Sequence, residues 1–350
     1  MAPRKRTGRS KGSATIAQVA GEAGVSPATV SRVMNNRFVG ADEVAERVRS
    51  AAAKLNYAPS YTARSLALGQ TQAVAFVAPD LRNPAFQAML SGLSATANED
   101  GYRVLIGDSA ESALEEPMLA GDIRRRTDAL VLCAPRMAEE QLASLSGSLH
   151  PMVLINRKAS SAAPSLTVDY RAGIEALLGH LYELGHRRVA YVEGTSQSVS
   201  NQYRLQGVEA FTAAHPDLEV LRIPGGVASQ HGFEAADRLM ETGATAAMAY
   251  NDLVAIGLLG RLQERGVRVP DDISVTGFDD IPFARYIAPA LTTASVPHEE
   301  LGVQAWYRLR SLIEGKEPGH DMVFQPRLEV RASTGAPKRD TTHPVSGFLA

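Results

Sequence analysis

Apolar residues fall along this chain in two distinct rhythms, separated by a polar stretch. In the first, Ile16, Val19, Ala20 and Ala23 recur at helical spacing behind Thr15, a residue type that caps helix N-termini. Gly24 breaks that helix. Ser26 offers a second cap, and Pro27 stands at the first helical position, where a missing N–H costs nothing. Val30, Val33 and Met34 then give a second helix an apolar face. Two short helices joined by a glycine-containing turn predict a helix-turn-helix, whose second helix can lie in a DNA major groove. An ordinary helical hairpin fits the same pattern, and on pattern alone it is the commoner outcome. Asp42 is positioned to cap a third helix over 43–55, packed through Val44, Val48, Ala51, Ala52 and Leu55. The core of these three helices is small, which predicts marginal stability for the headpiece alone.

The polar stretch SYTARSLALGQT follows, a linker with some helix propensity. From Ala73 the second rhythm takes over. The runs AVAFVAPD, RVLIGDS, ALVLCA and MVLIN alternate with helical segments near residues 85, 116 and 139. A second series repeats the layout: VAYVEG, LEVLRIP, AAMAYN and ISVTGFDD, with helices near Tyr203, Phe233 and Ile256. Strands alternating with helices predict parallel sheets covered on both faces. The chain therefore reads as an N-terminal all-α headpiece followed by two similar, doubly wound α/β subdomains. LTTASVP, the helix around Trp306 and MVFQPRLEVRAS must complete and cross-connect them. The tail APKRDTTHPVSGFLA lacks a leucine heptad, so no coiled coil is expected there.

Charge sharpens this division. The net charge of −2 conceals a basic head on an acidic body: residues 1–70 carry 11 Lys and Arg against 4 Asp and Glu, and the remainder 25 against 34. That asymmetry suits a polyanion at the head and argues against adhesion to nucleic acid by the whole surface. The basic run at residues 4–11 reads as a solvated tail that adds weak phosphate attraction. No apolar run approaches the ~18–20 residues of a membrane helix, and no apolar segment follows MAPRKRTGRSKGS to make it a secretory signal. Cys133 is the only cysteine, which excludes an intramolecular disulfide and agrees with a reducing cytoplasm. Its setting, ALVLCA, is that of a buried small hydrophobe.

Enzymatic chemistry finds little support. His150, His180, His186, His215 and His231 fall in no metal-binding spacing, and there is no GxSxG, P-loop or CxxC. Asp279 and Asp280 are adjacent, so their side chains diverge rather than pair as in a glycosidase. We expect no catalytic residues, no cofactor and no metal. Ligands of open α/β sheets sit beyond the carboxyl ends of the strands. The polar residues there are Asp80, Asn83, Asp108, Asn156, Arg157, Asn251, Asp279 and Asp280. Amides, carboxylates and guanidinium groups of this kind suit a hydroxyl-rich molecule.

Specific strings then narrow the reading. TIAQVAGEAGVSPATVSRVMNN at the head and LNYAPSYTARSLALGQT over 55–71 resemble the LacI/GalR family of bacterial transcription regulators. LRNPAF, ELGHRRVAYVEG, YNDLVAIG, VPDDISVTGFDD and LTTASVP continue the likeness in the family's order, from residue 15 to 334. The resemblance implies a basic tail (1–13), a DNA-binding headpiece (14–58), a hinge helix (59–71), an effector-binding and dimerisation domain of periplasmic-binding-protein architecture (72–334) and a flexible tail (335–350). Its first subdomain would comprise 72–168 and 296–325, its second 169–293 and 326–334.

By the same resemblance, Pro27 and Ala28 occupy operator-reading positions. Arg32 can fork onto guanine. Thr15, Ser26, Ser31 and Asn35 are assigned to phosphate. Leu66 would wedge into the minor groove, with Ala63 allowing close approach of two hinge helices. Asn83, Phe86 and Arg157 match one wall of the effector cleft, and Arg204, Asn251 and Asp279 the other. Asp169 also lies near the cleft; for it and for Asp280, helix capping or a structural salt bridge is an explanation at least as good. Many relatives place an aromatic residue near Val227; this chain offers only valine, so either Phe86 supplies the apolar platform or the ligand is something other than a pyranose. The implied partners are a near-palindromic double-stranded operator, a second copy of the chain and a small ligand, a sugar or sugar derivative, with no membrane. The implied function is a cytoplasmic repressor with allosteric control. The alternative is a cytoplasmic sugar-binding sensor without operator-specific DNA binding.

Overall fold

A computed structural model describes residues 14–35, 37–58, 69–158 and 163–338. They form two compact units, Met1–Thr71 and Gln72–Ala350. Ala63, Leu66 and most of the expected hinge lie outside the described residues.

The first unit contains α1 (Ile16–Ala23), α2 (Pro27–Met34) and α3 (Asp42–Lys54). Thr15 caps α1 in a reciprocal box with Gln18: the Gln18 N–H donates to Thr15 Oγ1, and Gln18 Oε1 accepts from the Thr15 N–H. Gly24 ends α1 at φ 65°, a left-handed conformation that favours glycine. Ser26 caps α2 by accepting from the Thr29 N–H at 3.1 Å, with Pro27 at the first position. Val19, Val30, Val33 and Val48 meet in the buried core.

Two details of α3 differ from the sequence reading. The helix begins at Asp42 and its cap is Ala41, without a side-chain bond. Asp42 thus sits in the first turn, where its charge meets the positive end of the helix dipole. Starting one residue earlier turns Ala45 into the core and leaves Val44 half-buried.

The second unit carries two six-stranded sheets. In the first, β1 (Ala73–Ala78), β2 (Arg103–Asp108), β3 (Ala129–Cys133), β4 (Met152–Ile155), β5 (Ser165–Val168) and β11 (Met322–Phe324) lie in the order β11-β5-β4-β3-β1-β2. In the second, β6 (Arg188–Val192), β7 (Glu219–Ile223), β8 (Ala246–Ala249), β9 (Ser274–Asp279), β10 (Thr292–Ser295) and β12 (Arg327–Glu329) lie in the order β12-β10-β9-β8-β6-β7. Every pairing is parallel except β10–β12. Strands β1, β3, β4, β8 and β9 are buried along their whole length, as parallel strands covered on both faces must be.

The helices are α4 (Pro84–Glu99), α5 (Glu116–Arg124), α6 (Glu139–Leu149), α7 (Tyr170–Glu183), α8 (Val199–Ala214), α9 (Ser229–Glu241), α10 (Asp252–Glu264) and α11 (His298–Ile313). A short 3-10 turn, Pro282–Arg285, follows β9. Helices α4 and α11 pack so closely that a Cβ on Gly302 would collide with the Met89 carbonyl. Strand β5 was not foreseen: SLTV is short and follows a proline, so it carries little pattern of its own.

The chain passes between the sheets three times, at β5–α7, β10–α11 and β11–β12. Asp169 secures two of these crossings. Its Oδ1 caps α7 by accepting from the Ala172 N–H, and its backbone N–H donates to the Phe324 carbonyl. The expected flexible tail begins too early at 335. His186 Nε2 lies 2.9 Å from the Gly335 carbonyl, which also accepts from the Ser274 hydroxyl, and Lys338 is paired with Asp272. Cys133 is buried, with Sγ 3.4 Å from Met89 Sδ, and burial pushes its thiol pKa up. Among the described residues, no helix is long and apolar enough to cross a membrane.

Candidate functional site

The headpiece presents one surface built for contact. Residues 28 and 32, one turn apart, share a face of α2. Ser26, Pro27, Ala28 and Arg32 are exposed there, opposite the buried Val30 and Val33. The hydroxyls of Thr15 and Ser26 serve as helix caps, which places both at helix N-termini. Ser31 and Asn35 are half-buried, and the Asn35 amide donates back to the Ser31 carbonyl at 2.8 Å. Pro27 and Ala28 carry no side-chain donor, so this face offers shape, a methyl group and one guanidinium.

In the second unit, both subdomains wall a narrow cavity of about 30 Å³. Asn83, Phe86, Met89, Arg136, Asn156 and His298 line it from the first subdomain; Tyr170, Ser200, Arg204, Tyr250, Asn251 and Asp279 line it from the second. Local structure fixes most of them. Asn83 and Asn251 are N-caps, of α4 and α10, so each sits at a strand-to-helix junction. Asn251 Oδ1 accepts from the Val254 N–H, and its amide donates to the Val227 carbonyl at 3.0 Å. That bond accounts for the 227 region: its backbone, not a side chain, supports the wall.

Arg204 is the centre of the site. It is 2% exposed, and its guanidinium stacks at 4.2–4.4 Å on the rings of Tyr170, Tyr250 and Phe278. Its Nε and Nη1 have no hydrogen-bond partner among the described residues. Nη2 lies 3.9 Å from Asp279 Oδ1, an ion pair too long for a hydrogen bond. Asp279 ends β9 at φ 113° and Asp280 follows at φ 57°, which turns the two carboxylates apart. Asp280 is consumed structurally: Arg331 bonds one oxygen at 2.6 Å and Arg285 the other at 3.2 Å. Beneath this turn, the fully buried Asp252 accepts from the Ile281 N–H and the Thr293 hydroxyl. Burial, then the neighbouring Asp279, pushes its carboxyl pKa well up.

Five of the six expected cleft residues converge on the cavity: Asn83, Phe86, Arg204, Asn251 and Asp279. Arg157 does not line it. Its guanidinium turns to Glu139 at 3.1 Å, and Asn156, at φ 56°, faces the cavity instead. Asp80 and Asp108 are engaged in their own loops, with Arg82 and with the Leu81 and Ala110 N–H groups. Arg136, Tyr170, Ser200, Tyr250 and His298 line the cavity without having been among the residues expected from the sequence. Arg136 is held by Glu111 through two bonds. Tyr250 directly precedes the Asn251 cap, and that adjacency is the one signal that could have found it. Among the described residues, no three His, Cys, Asp or Glu side chains are grouped to hold a metal.

Known proteins share this sequence pattern and fold. The model of bacterial regulatory proteins of the lacI family matches residues 15–60, and that of the periplasmic binding protein-like domain matches 178–334. The HTH-type transcriptional regulator GalR of Escherichia coli (strain K12) is 34% identical over 340 residues, covering 94% of this chain and 98% of its own. The crystal structure of the lac repressor dimer bound to operator and the anti-inducer ONPF superposes with a TM-score of 0.81 at 26% identity, covering 92% of this chain and 99% of that one. The transcriptional regulator CelR–cellobiose complex gives 0.67 at 26% identity, covering 91% and 99%.

Proposed function

The chain belongs to the lacI family of bacterial regulatory proteins, and from that premise we propose that it is an operator-binding repressor released by a small hydroxylated metabolite. The observation that carries the allosteric part is the cavity itself. Arg204, Asn251 and Asp279 belong to one subdomain, Asn83 and Phe86 to the other, so a ligand touching both favours one relative orientation. A ligand shifts DNA affinity only by its differential affinity for two such orientations, typically ~1–3 kcal/mol. By the family resemblance, the hinge expected over 59–71 would link the headpiece to the first subdomain and fold with its dimer mate on DNA, so rotation of that subdomain would bias hinge folding.

Arg32 reads guanine, Pro27 and Ala28 read by shape and methyl contact, and Thr15, Ser26, Ser31 and Asn35 hold phosphate. Paired Leu66 side chains enter the minor groove, where Ala63 permits close approach. The lac repressor structure, a dimer on its operator with an anti-inducer, and the cellobiose complex of CelR support this reading by likeness. Two-fold symmetry requires a near-palindromic site, and an apolar wedge favours a pyrimidine–purine step at its centre. Selection of bound genomic fragments followed by footprinting tests the proposal. A monomer on one asymmetric half-site would overturn the symmetric arrangement. Absence of any preferred site, with sugar binding intact, would favour a sensor without operator binding.

A further inference from the structure

His298 lines the same cavity from the first subdomain. It opens α11, in the first subdomain, and is 7% exposed. Neither ring nitrogen has a hydrogen-bond partner among the described residues. Its Nε2 lies 3.6 Å from Asp279 Oδ1, which belongs to the second subdomain. The same oxygen stands 3.9 Å from Arg204 Nη2. Three buried polar groups therefore surround one point and none is close enough to bond another, although leaving such groups unpaired is costly. Separations of this kind are bridged by an intervening group that both donates and accepts.

We propose that His298 is an effector-contacting, specificity-determining residue, which with Asp279 takes a single ligand hydroxyl from opposite walls of the cleft. This rests on the effector-site reading above and adds to it the class of ligand. A hydroxyl donates to the carboxylate while accepting from, or donating to, an imidazole nitrogen. Arg204 Nε and Nη1 supply further donors, and the orphaned Asn156 Oδ1 a further acceptor. The Arg136 guanidinium is already neutralised by Glu111, so Arg204 and Asp279 leave the cavity without net charge. A phosphate or carboxylate would meet the Asp279 carboxylate on entry. The site therefore suits a neutral hydroxylated ligand, admitted as the two subdomains part and lying against Phe86 and Met89 of the wall.

The test uses the full chain without DNA, so its outcome is independent of whether an operator is found. Calorimetric titrations of wild type and His298→Phe use D-galactose, D-ribose and cellobiose, with D-galacturonate and D-ribose 5-phosphate as charged counterparts. We expect wild type to bind at least one neutral sugar more tightly than the charged compounds. His298→Phe should bind that sugar about tenfold more weakly or worse, and His298→Gln should recover part of the loss. Unfolding scans supply a readout that needs no ligand: His298→Phe should melt no lower than wild type, because it removes unpartnered polar atoms from a buried site. Equal sugar affinity in wild type and His298→Phe would overturn the proposal. So would preference for the charged compounds, binding of none of the neutral sugars, or a melting temperature several degrees lower in His298→Phe.

Discussion

The outer face of α2 and the cleft between the two sheets hold their polar groups in opposite circumstances. Arg32 is exposed, and the caps around it are satisfied within the headpiece. Water solvates such a group at little cost to folding, and in the proposed role its energy would be realised at a base edge. Arg204 and His298 are buried with unpartnered nitrogens. Each such atom costs about 1–3 kcal/mol, a cost a well-packed apolar side chain would not carry. The difference shows how each surface can be probed. Under the proposed roles, truncation on α2 should remove recognition and leave the fold, whereas apolar replacement in the cleft should remove ligand response and leave or improve the fold.

The largest effect is expected from Arg204→Met. The substitution keeps an unbranched apolar side chain and removes the buried charge stacked on Tyr170, Tyr250 and Phe278. Effector response should vanish, while the melting temperature holds or rises. A fall of many degrees would place Arg204 among the structural residues and break the contrast. Next comes Arg32→Ala, which should cost ~1–3 kcal/mol on the selected operator with little change on random DNA. An unchanged ratio of specific to random affinity would remove Arg32 from the reading set.

Ser26→Ala is expected to act through both the cap and phosphate. It should destabilise the headpiece by about 1 kcal/mol and weaken binding to all sequences alike, as thermal melts and competition with random DNA would show. A loss confined to the selected operator would mean that Ser26 reads bases. The smallest effect is that of pH on the second unit. Burial lowers the pKa of His186 below its ordinary 6.5, outweighing the opposite pull of the Gly335 carbonyl, and the ring also bonds the Thr245 and Ser274 hydroxyls. The unfolded chain therefore takes up the proton first. The stability His186 contributes is complete above pH 6.5 and is lost progressively as pH falls through that value towards its lower folded pKa. His186→Gln should flatten this part of the melting-temperature profile; an unchanged slope would assign it to other groups.

These contrasts also explain what the sequence revealed. The helix-turn-helix was legible because caps, proline and glycine act locally: Thr15, Gly24, Ser26 and Pro27 all do what their types dictate. The alternation of strands and helices was legible because parallel strands buried on both faces are written as continuous apolar runs. The cleft was half legible. Asn83, Asn251 and Asp279 stand at strand ends, where topology alone places polar residues near a ligand. Arg157 stands at such an end too, yet Glu139, eighteen residues away in sequence, draws it aside. His298 could not be read, because its partner Asp279 comes from the other subdomain and PHEEL is an ordinary helix start. The start of α3 failed for a smaller reason: Asp42 suits a cap and a first turn equally well.

The central claim is that occupancy of the cleft sets operator affinity. The most direct measurement is a titration of the operator complex with a sugar that wild type binds, comparing wild type with Asp279→Ala. The account predicts that wild type leaves the operator as sugar is added, whereas the Asp279→Ala complex stays bound throughout. A wild-type response in Asp279→Ala would show the effector site to lie elsewhere, and tightening of the wild-type complex would identify the sugar as a co-repressor.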